Sequence, residues 1–237
     1  MTRRRWIADE VAGDRAALVG ENAEHLARVL RARAGQVFDI STGGGVRRGR
    51  IVHVSEARVE FELGEEVEQE AAPDLTLLLA IYKFDRMEWA LEKAVELGAS
   101  RIVPVVAQRT SAHLASAAGK RVERWRRIAR QAAQQARRAS VPEVATPAAL
   151  KEAVALPAET RIVLAETERQ RSLKEVLAGR SSGSVALAIG PEGGWTDDEL
   201  QLFAGAGWVT AWLGRNILRA ETAAIAALAI VLAEEKT

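Results

Sequence analysis

Hydrophobic residues in the first third of the chain alternate with polar ones, which is the period of strands that bury one face. The alternation covers three segments, residues 36–41, 46–54 and 57–63. Glycines at 43–45 separate the first two segments, and this spacing predicts a hairpin. Residues 23–31 place apolar positions at helical intervals and predict one short helix. We therefore expect a small β-rich domain over residues 1–70.

From Pro73 onward the pattern changes to continuous apolar runs separated by helical periods. The runs are typical of strands buried on both faces and cover residues 75–82, 101–106, 161–165, 185–189 and 209–213. Helices are predicted between and after them, over residues 85–98, 118–138, 173–178, 196–206 and 220–234. Alternating strands and helices indicate a mostly parallel sheet with helices on its faces. We predict an α/β domain over residues 74–237, joined to the first domain by an acidic linker at residues 65–74.

Two of the predicted helices begin with the residue pair of a capping box. In this motif the side chains of the first and fourth residues each bond the other's backbone N–H. Asp85 is followed by Glu88, and Thr196 is followed by Glu199. We expect both pairs to cap the first turn of their helices.

Composition narrows the chemistry that the chain can carry. The 237 residues are 48% hydrophobic, which is enough for a sizeable core, and none is cysteine. Disulfides, thiolate metal sites and a cysteine nucleophile are therefore excluded, and the reducing cytoplasm is the expected location. The N-terminus lacks the apolar stretch of a signal peptide, and the longest apolar run, residues 223–233, is too short to span a bilayer. His25, His53 and His113 lie far apart, so we expect no metal site and no Ser/His/Asp triad.

Charge is unevenly distributed although the net charge is only +1. Glu123 is the single acidic residue in the predicted helix between residues 120 and 138, whose basic residues are Lys120, Arg121, Arg124, Arg126, Arg127, Arg130, Arg137 and Arg138. A solvated helix face explains many such runs. Here the charges share one sign, which favours a polyanionic partner such as RNA.

Two glycine-containing runs near the C-terminus are the best candidates for a binding site. Residues 189–194 (Ile-Gly-Pro-Glu-Gly-Gly) and residues 213–223 each follow a predicted strand and precede a predicted helix. Side by side at one sheet edge, they would form a pocket walled by backbone N–H and C=O groups, which suits a nucleoside-sized ligand. The spacing matches neither a phosphate loop nor a dinucleotide fingerprint. An ordinary strand-to-helix turn is the alternative interpretation for the first run.

Arg219 and Glu221 flank the start of the last predicted helix. A carboxylate is favoured near a helix N-terminus, whereas a guanidinium is not. The unfavourable placement of Arg219 indicates that its side chain has another function, such as binding a phosphate or an enolate-like oxygen. The alternative is that Arg219 pairs with a nearby carboxylate, for which Glu192 is the candidate.

Taken jointly, these runs resemble the signature of a known family. Gly-Pro-Glu-Gly-Gly at residues 190–194, followed by Leu-Gly-x-x-Ile-Leu-Arg-x-Glu-Thr-Ala at residues 213–223, resembles the RsmE family of 16S ribosomal RNA (uracil-N3) methyltransferases of the SPOUT class. Residues 25–31, 83–98 and 125–143 also resemble segments of that family, so the likeness extends over nearly the whole chain. It implies a PUA-like β-barrel followed by a SPOUT domain with a trefoil knot. It also implies the cofactor S-adenosylmethionine (SAM), a homodimer, and a uridine of 16S rRNA in the small (30S) subunit as the target.

The resemblance further implies which residues form the site. Arg219, Glu192 and Arg5 are expected at the reacting base. The expected cofactor-binding residues are Leu164, Ala165, Glu166, Ile189, Gly190, Pro191, Gly193, Gly194, Leu213, Gly214, Ile217, Leu218, Glu221 and Thr222. The expected RNA-binding residues are Arg3, Arg4, Arg5, Arg31, Arg121, Arg124, Arg127, Arg130, Arg137 and Arg138.

Two other functions remain compatible with the sequence. One is an RNA-binding ribosome assembly factor whose cofactor loops no longer bind SAM. The other is a SPOUT methyltransferase that acts on transfer RNA or on 23S rRNA. Binding of SAM separates the first alternative from an enzyme, and the position of the methylated nucleoside separates the second.

Overall fold

The computed structural model describes residues 5–69, 73–179 and 183–234. The described residues fall into two compact units. The first contains those within Met1–Ala71 and Ala133–Val141, and the second contains those within Ala72–Ala132 and Pro142–Thr237. Residues 133–141, which the sequence pattern assigns to the second domain, therefore pack with the first unit. Within the described ranges, no helix has the length and apolar character needed to cross a membrane.

The first unit is a curled six-stranded sheet, and three of its strands cover the alternating segments of the sequence. Its strands are β1 (Arg5–Ile7), β2 (Glu10–Ala12), β3 (Arg15–Val19), β4 (Val37–Ser41), β5 (Val46–Val54) and β6 (Arg58–Glu66). The order is β1-β4-β5-β6-β3-β2, and every neighbouring pair is antiparallel except β1 with β4. Buried residues of the sheet, including Leu18, Ile40 and Phe61, form its core. Burial of one face therefore accounts for the two-residue period of this part of the sequence.

The short helix of the first unit differs from the uniform helix predicted over residues 23–31. Helix α1 covers only Glu21–Glu24, and the next residues, His25–Val29, form one wider π-helical turn. Arg31 then adopts a left-handed backbone with φ of 50°. Leu26 stays fully buried, so the turn keeps its apolar contact with the sheet.

The second unit is an α/β fold built on a parallel sheet, which confirms the predicted fold class. Its strands are β7 (Leu75–Ala80), β8 (Arg101–Val106), β9 (Glu143–Val144), β10 (Ala148–Ala149), β11 (Thr160–Leu164), β12 (Val185–Ile189) and β13 (Val209–Ala211). The order is β10-β8-β7-β12-β11-β13, with β9 paired to β8, and every pairing is parallel. Strand β12 is buried along its whole length, as a continuous apolar run requires.

The helices of this unit are α2 (Phe84–Glu96), α3 (Ala112–Ala118), α4 (Val122–Gln135, whose last turn belongs to the first unit), α5 (Leu150–Ala153), α6 (Leu173–Ala178), α7 (Asp197–Gly205) and α8 (Ala220–Ala233). Helix α2 packs against α8. Beside α7, the rings of Trp195, Phe203 and Trp208 stack edge-on with centroids 5.0 and 5.1 Å apart. This aromatic cluster anchors the segment that leaves β12.

Two predictions about helix termini are wrong. The basic helix predicted over residues 118–138 is interrupted by a 3₁₀ turn at Gly119–Arg121, and it ends before Arg137, whose φ is 55°. Asp85 does not form a capping box with Glu88, because α2 begins one residue earlier after Lys83. The capping box of Thr196 and Glu199 is confirmed, with both reciprocal bonds present at the start of α7.

Candidate functional site

A cavity of about 570 Å³ lies at the carboxyl ends of β11, β12 and β13. Strand β11 lies between β12 and β13 in the sheet, so the loops that leave these three strands converge at one edge. The 190–194 loop leaves β12, the 213–219 loop leads from β13 to α8, and residues 164–167 come from the end of β11. This edge of a parallel sheet is where α/β folds bind ligands.

The 190–194 loop is held in a fixed, tight turn. Gly194 has φ of +70°, and its backbone N–H donates to the Pro191 carbonyl at 2.8 Å. A Cβ at Gly190 would lie 3.2 Å from the indole nitrogen of Trp195, and one at Gly194 would lie 3.3 Å from a carboxylate oxygen of Glu166. The glycines are therefore required by the backbone and by the close approach of neighbouring side chains.

The side chain of Arg109 clamps the same loop. Its Nη1 donates to the carbonyl of Gly193 and, at 3.4 Å, to the carbonyl of Trp195. Arg109 follows β8, lines the cavity and was not predicted as a site residue. The sequence carries no local signal for it, because the contact joins residues 84 positions apart.

The 213–219 loop has the opposite character. Residues from Gly214 to Arg219 are exposed, and Ile217 reaches 80% exposure. Within the described chain, no backbone N–H from Leu213 to Arg219 donates a hydrogen bond. Gly214 has φ of +139°, which turns the chain at the cavity wall. This wall therefore offers unbonded backbone donors to a ligand.

Arg219 lies at the mouth of the cavity as the N-cap residue of α8. Its carbonyl accepts from the Ala223 N–H at 2.8 Å, while its side chain is exposed and makes no cap hydrogen bond. Its guanidinium has no ion pair among the residues that the structure describes. The alternative pairing with Glu192 is not observed, because Glu192 instead contacts Arg86 at 3.4 Å.

A second group of polar side chains lies behind the cavity wall. Glu221 is only 5% exposed, and its Oε1 lies 3.7 Å from Nη1 of Arg86. Burial raises the pKa of the Tyr82 hydroxyl, and the carboxylates of Glu221 and Glu192 raise that pKa further while Arg86 opposes them. The Tyr82 hydroxyl and Glu221 Oε2 are both buried without a hydrogen-bond partner in the described residues.

Most of the expected cofactor and catalytic residues of the second unit line the same cavity. They are Leu164, Ala165, Glu166, Ile189, Gly190, Pro191, Glu192, Gly194, Leu213, Gly214, Ile217, Leu218 and Arg219. Gly193, Glu221 and Thr222 are not among the lining residues. Arg86, Arg109, Trp195 and Arg215 also line the cavity, and the sequence reasoning did not select them. Arg86 and Arg109 contact segments that are distant in sequence, which no local pattern records.

Arg5 belongs to the first unit, where it contacts the segment that follows α4. Its Nη1 donates to the Arg137 carbonyl at 2.6 Å, and Ser41 Oγ donates to the Ala139 carbonyl of the same segment. Burial lowers the pKa of the Arg5 guanidinium. The nearby Asp39 raises this pKa, and the nearby Arg137 lowers it further. Burial also lowers the pKa of Arg138. These arginines are therefore partly integrated into the packing of the unit.

The remaining expected RNA-binding arginines differ in their surroundings. Arg121 and Arg124 both contact Glu88, at 3.5 and 2.8 Å, so part of the basic charge is compensated. Arg31 and Arg127 are exposed, and Arg130 is half-buried. Arg3 and Arg4 lie outside the described residues.

Comparisons with known proteins agree with this architecture. Residues 69–232 match the RNA methyltransferase domain, and residues 18–64 match the RNA methyltransferase PUA domain. Ribosomal RNA small subunit methyltransferase E of Mycobacterium bovis is 35% identical over 90% of this chain and 84% of the relative. The Bacillus subtilis protein of the same name is 30% identical over 90% of this chain and 88% of the relative.

Solved structures extend the likeness to the fold. Ribosomal RNA small subunit methyltransferase E of Neisseria gonorrhoeae, bound to SAM, superposes with a TM-score of 0.81 and 31% identity, covering 96% of this chain and 95% of that one. A Legionella pneumophila protein in complex with the cofactor SAM has a TM-score of 0.83 and 28% identity over 98% of both chains.

The fold, the edge cavity and these matches define an RNA methyltransferase that carries a PUA domain. The chain belongs to the ribosomal RNA small subunit methyltransferase E family. The family resemblance drawn from the two glycine-containing runs is thereby confirmed.

Proposed function

We propose that the protein transfers the methyl group of SAM to N3 of a uridine in the 16S rRNA of the small ribosomal subunit. The names of the relatives support the ribosomal substrate, and the bound SAM of the Neisseria and Legionella structures supports the cofactor. The observation that carries the proposal is the cavity itself. One of its walls is backbone with unbonded N–H groups, and a guanidinium without an ion pair in the described chain lies at its mouth.

The cavity fits SAM in size and in chemistry. Its volume of about 570 Å³ lies within the range of small-molecule sites, roughly 300–1,000 Å³. Adenine and ribose need hydrogen bonds without charge, and the backbone from Leu213 to Leu218 supplies donors and acceptors. Gly190 and Gly194 allow a ligand to approach the opposite wall closely. When bound, SAM supplies an electrophilic methyl group on a sulfonium.

Arg219 acts on the uracil in this proposal. A carbon–nitrogen bond forms at N3 as the carbon–sulfur bond breaks, and the N3 proton must leave before or during this step. The negative charge that develops on the uracil oxygens needs a cation, which is the logic of an oxyanion site. Arg219 can supply it because its guanidinium is exposed at the cavity and makes no ion pair within the described residues.

Glu192 is the candidate acceptor for the N3 proton. Its carboxylate lies at the cavity rim with its side chain 42% exposed, so an incoming base can reach it. Proton acceptance by a positioned carboxylate contributes about 10²- to 10⁴-fold in typical enzymes. Because N3 lies on the pairing edge of uracil, the base must be unpaired or splayed out to react.

In this proposal the protein binds RNA mainly through contacts with the backbone phosphates. Arg5, Arg31, Arg137 and Arg138 of the first unit and Arg121, Arg124, Arg127 and Arg130 of α4 and the turn before it are the described candidates. Binding through phosphates depends strongly on salt concentration. A homodimer, the trefoil knot and a contribution of Arg5 to the reacting base belong to the same proposal.

The test combines SAM titration with nucleoside mapping. We expect calorimetry to detect SAM binding, and we expect a deletion strain to lack one N3-methyluridine in 16S rRNA that the cloned gene restores. Failure to bind SAM at millimolar concentration would support the assembly factor instead. Loss of a methyl group from transfer RNA or 23S rRNA would keep the chemistry and change the substrate.

A further inference from the structure

Arg86 links two carboxylates that belong to different walls of the cavity. It lies in the first turn of α2 and contacts Glu192 of the 190–194 loop at 3.4 Å. The same nitrogen lies 3.7 Å from Oε1 of Glu221 in the first turn of α8. We call these three residues the Arg86 bridge. One guanidinium is therefore shared between an exposed carboxylate at the rim and a buried one behind it.

The buried end of the bridge needs an explanation. Glu221 is 5% exposed, and its Oε2 makes no hydrogen bond in the described residues. Burying a carboxylate is costly unless an opposite charge accompanies it. The helix N-terminus and Arg86 are the favourable partners that the structure provides for this charge. Glu221 thus holds Arg86 in place from the protein interior.

The exposed end has few other constraints. Arg86 is the only ion-pair partner that the described residues give Glu192. The backbone of its loop is fixed by other contacts, but the direction of the Glu192 side chain depends on Arg86. A flexible glutamate would otherwise spread over several rotamers in solvent.

We propose that Arg86 is a positioning residue that aims the Glu192 carboxylate into the cavity, with the buried Glu221 as its anchor. This inference rests on the proposed function, because it assigns Arg86 a role in proton removal from the uracil. Arg86 does not take the proton itself. Arg86 fixes the position of the acceptor, Glu192. When Glu192 becomes protonated, Arg86 still has the Glu221 carboxylate as an ion-pair partner.

The first variant is Arg86→Met, assayed with radiolabelled SAM and small subunits that lack the methyl group. We expect kcat to fall about 10²-fold, within the range for a displaced general base. The SAM dissociation constant and the KM for subunits should change by less than about threefold, a shift below 1 kcal/mol. A large rise in the SAM dissociation constant with unchanged kcat would overturn the proposal, because Arg86 would then be a cofactor ligand.

Loss of Arg86 also leaves the buried Glu221 carboxylate without its ion-pair partner. The effect of the variant on folding stability must therefore be measured separately from its effect on kcat. We expect Arg86→Met to melt at a lower temperature than the wild type, because an uncompensated buried charge is destabilising. The double variant Arg86→Met/Glu221→Gln removes that charge and should recover most of the melting temperature. Its kcat should stay low, because nothing aims Glu192. Recovery of both properties would reduce Arg86 to a structural role and overturn the proposal.

Two further variants complete the design. Arg86→Lys should give an intermediate kcat, because an ammonium keeps the charge but cannot contact both carboxylates as a planar fork can. Lys93→Met is the matched control, since Lys93 lies on the same helix between Glu92 and Glu96, at 2.7 Å from each, and does not line the cavity. We expect wild-type kinetics for it, and a loss of kcat equal to that of Arg86→Met would overturn the proposal.

The outcomes distinguish this inference from the proposed function. If the wild-type protein transfers no methyl group to any subunit or RNA, the proposed function fails. If the wild type is active and Arg86→Met matches its kcat, only the positioning role of Arg86 fails.

Discussion

The two loops that face each other across the cavity are built in opposite ways. The 190–194 loop is fixed by an internal backbone hydrogen bond and by Arg109. The 213–219 loop is exposed and uses none of its backbone N–H groups within the described chain. One wall is therefore formed before a ligand arrives, and the other offers its bonding capacity to the ligand.

This contrast assigns different tasks to the two walls. A preformed wall lowers the entropy cost of binding, because its groups are already in place. An exposed wall gains hydrogen bonds on binding, so the protection of its amides from exchange should differ between the free and the SAM-bound protein. The reacting groups follow the same division, since Glu192 is held in an ion pair while Arg219 has none within the described ranges.

The largest effect should come from Arg219→Ala in the exposed wall. We expect methyl transfer to fall by about 10²- to 10³-fold, because a donor at an anionic transition state is lost. Stability should change by less than about 0.5 kcal/mol, because the side chain is exposed. Single-turnover rates and thermal melting measure the two quantities.

Arg171→Ala is the control for that variant. Arg171 is exposed and does not line the cavity. We expect it to keep the wild-type rate. Retained turnover in Arg219→Ala would remove Arg219 from the mechanism.

The next largest effect should come from Gly194→Ala in the preformed wall. A left-handed backbone costs an ordinary residue roughly 1–2 kcal/mol, and the new Cβ would also press on Glu166 at 3.3 Å. We expect a comparable loss of unfolding free energy and weaker SAM binding by calorimetry. Gly119→Ala is the control, because its backbone is helical and a Cβ there meets nothing within 4 Å. Equal behaviour of the two variants would show that the turn is not required.

A smaller effect should come from Arg109→Met, which releases the clamp on the 190–194 loop. A hydrogen bond of this kind contributes about 0.5–1.5 kcal/mol, so SAM should bind roughly threefold to tenfold more weakly. Titration calorimetry measures the change, and Arg109→Lys should recover part of it. An unchanged dissociation constant would mean that the loop keeps its shape without the clamp.

The smallest effect at neutral pH should come from Tyr82→Phe. Burial raises the pKa of Tyr82 above its ordinary value near 10, so the folded state keeps a proton that the unfolded state loses. This contribution to stability is fully present below about pH 10 and is lost as the pH rises further, by at most about 1.4 kcal/mol per pH unit. Urea unfolding of both proteins across this range should show a shallower decline in the variant.

The protein contains a single tyrosine, so its absorbance provides a second measurement. Tyrosinate absorbance should appear together with alkaline unfolding. Ionisation of Tyr82 in the folded protein near pH 10 would contradict its burial behind the cavity wall.

The sequence predicted β4 to β8 and β11 to β13, because burial leaves a strong periodic signal, but it did not predict β1, β2, β3, β9 or β10. The fully apolar run of β12 and the alternation of β6 follow directly from two-sided and one-sided burial. Strand β4 differs, because its last three residues are all buried. The converging loops followed from the strand order of an α/β fold. Thr196 and Glu199 were predicted as a cap because that motif is complete within four residues.

Predictions were wrong where distant contacts prevail over local ones. Glu88 was assigned to a helix cap, but it contacts Arg121 and Arg124, which are remote in sequence. Arg86 and Arg109 were missed for the same reason, since each acts on a loop about a hundred residues away. The basic helix is interrupted at residues 119–121, where the backbone hydrogen bonds have 3₁₀ spacing, and the pattern of arginines does not predict this change.

Hydrogen exchange with and without SAM tests most directly whether both loops bind one cofactor. We expect amides of the 213–219 loop to exchange fast in the free protein and to slow strongly with SAM. The Gly194 amide should already be slow, because it is bonded in the free structure. Unchanged exchange in the 213–219 loop at saturating SAM would contradict a shared cofactor pocket.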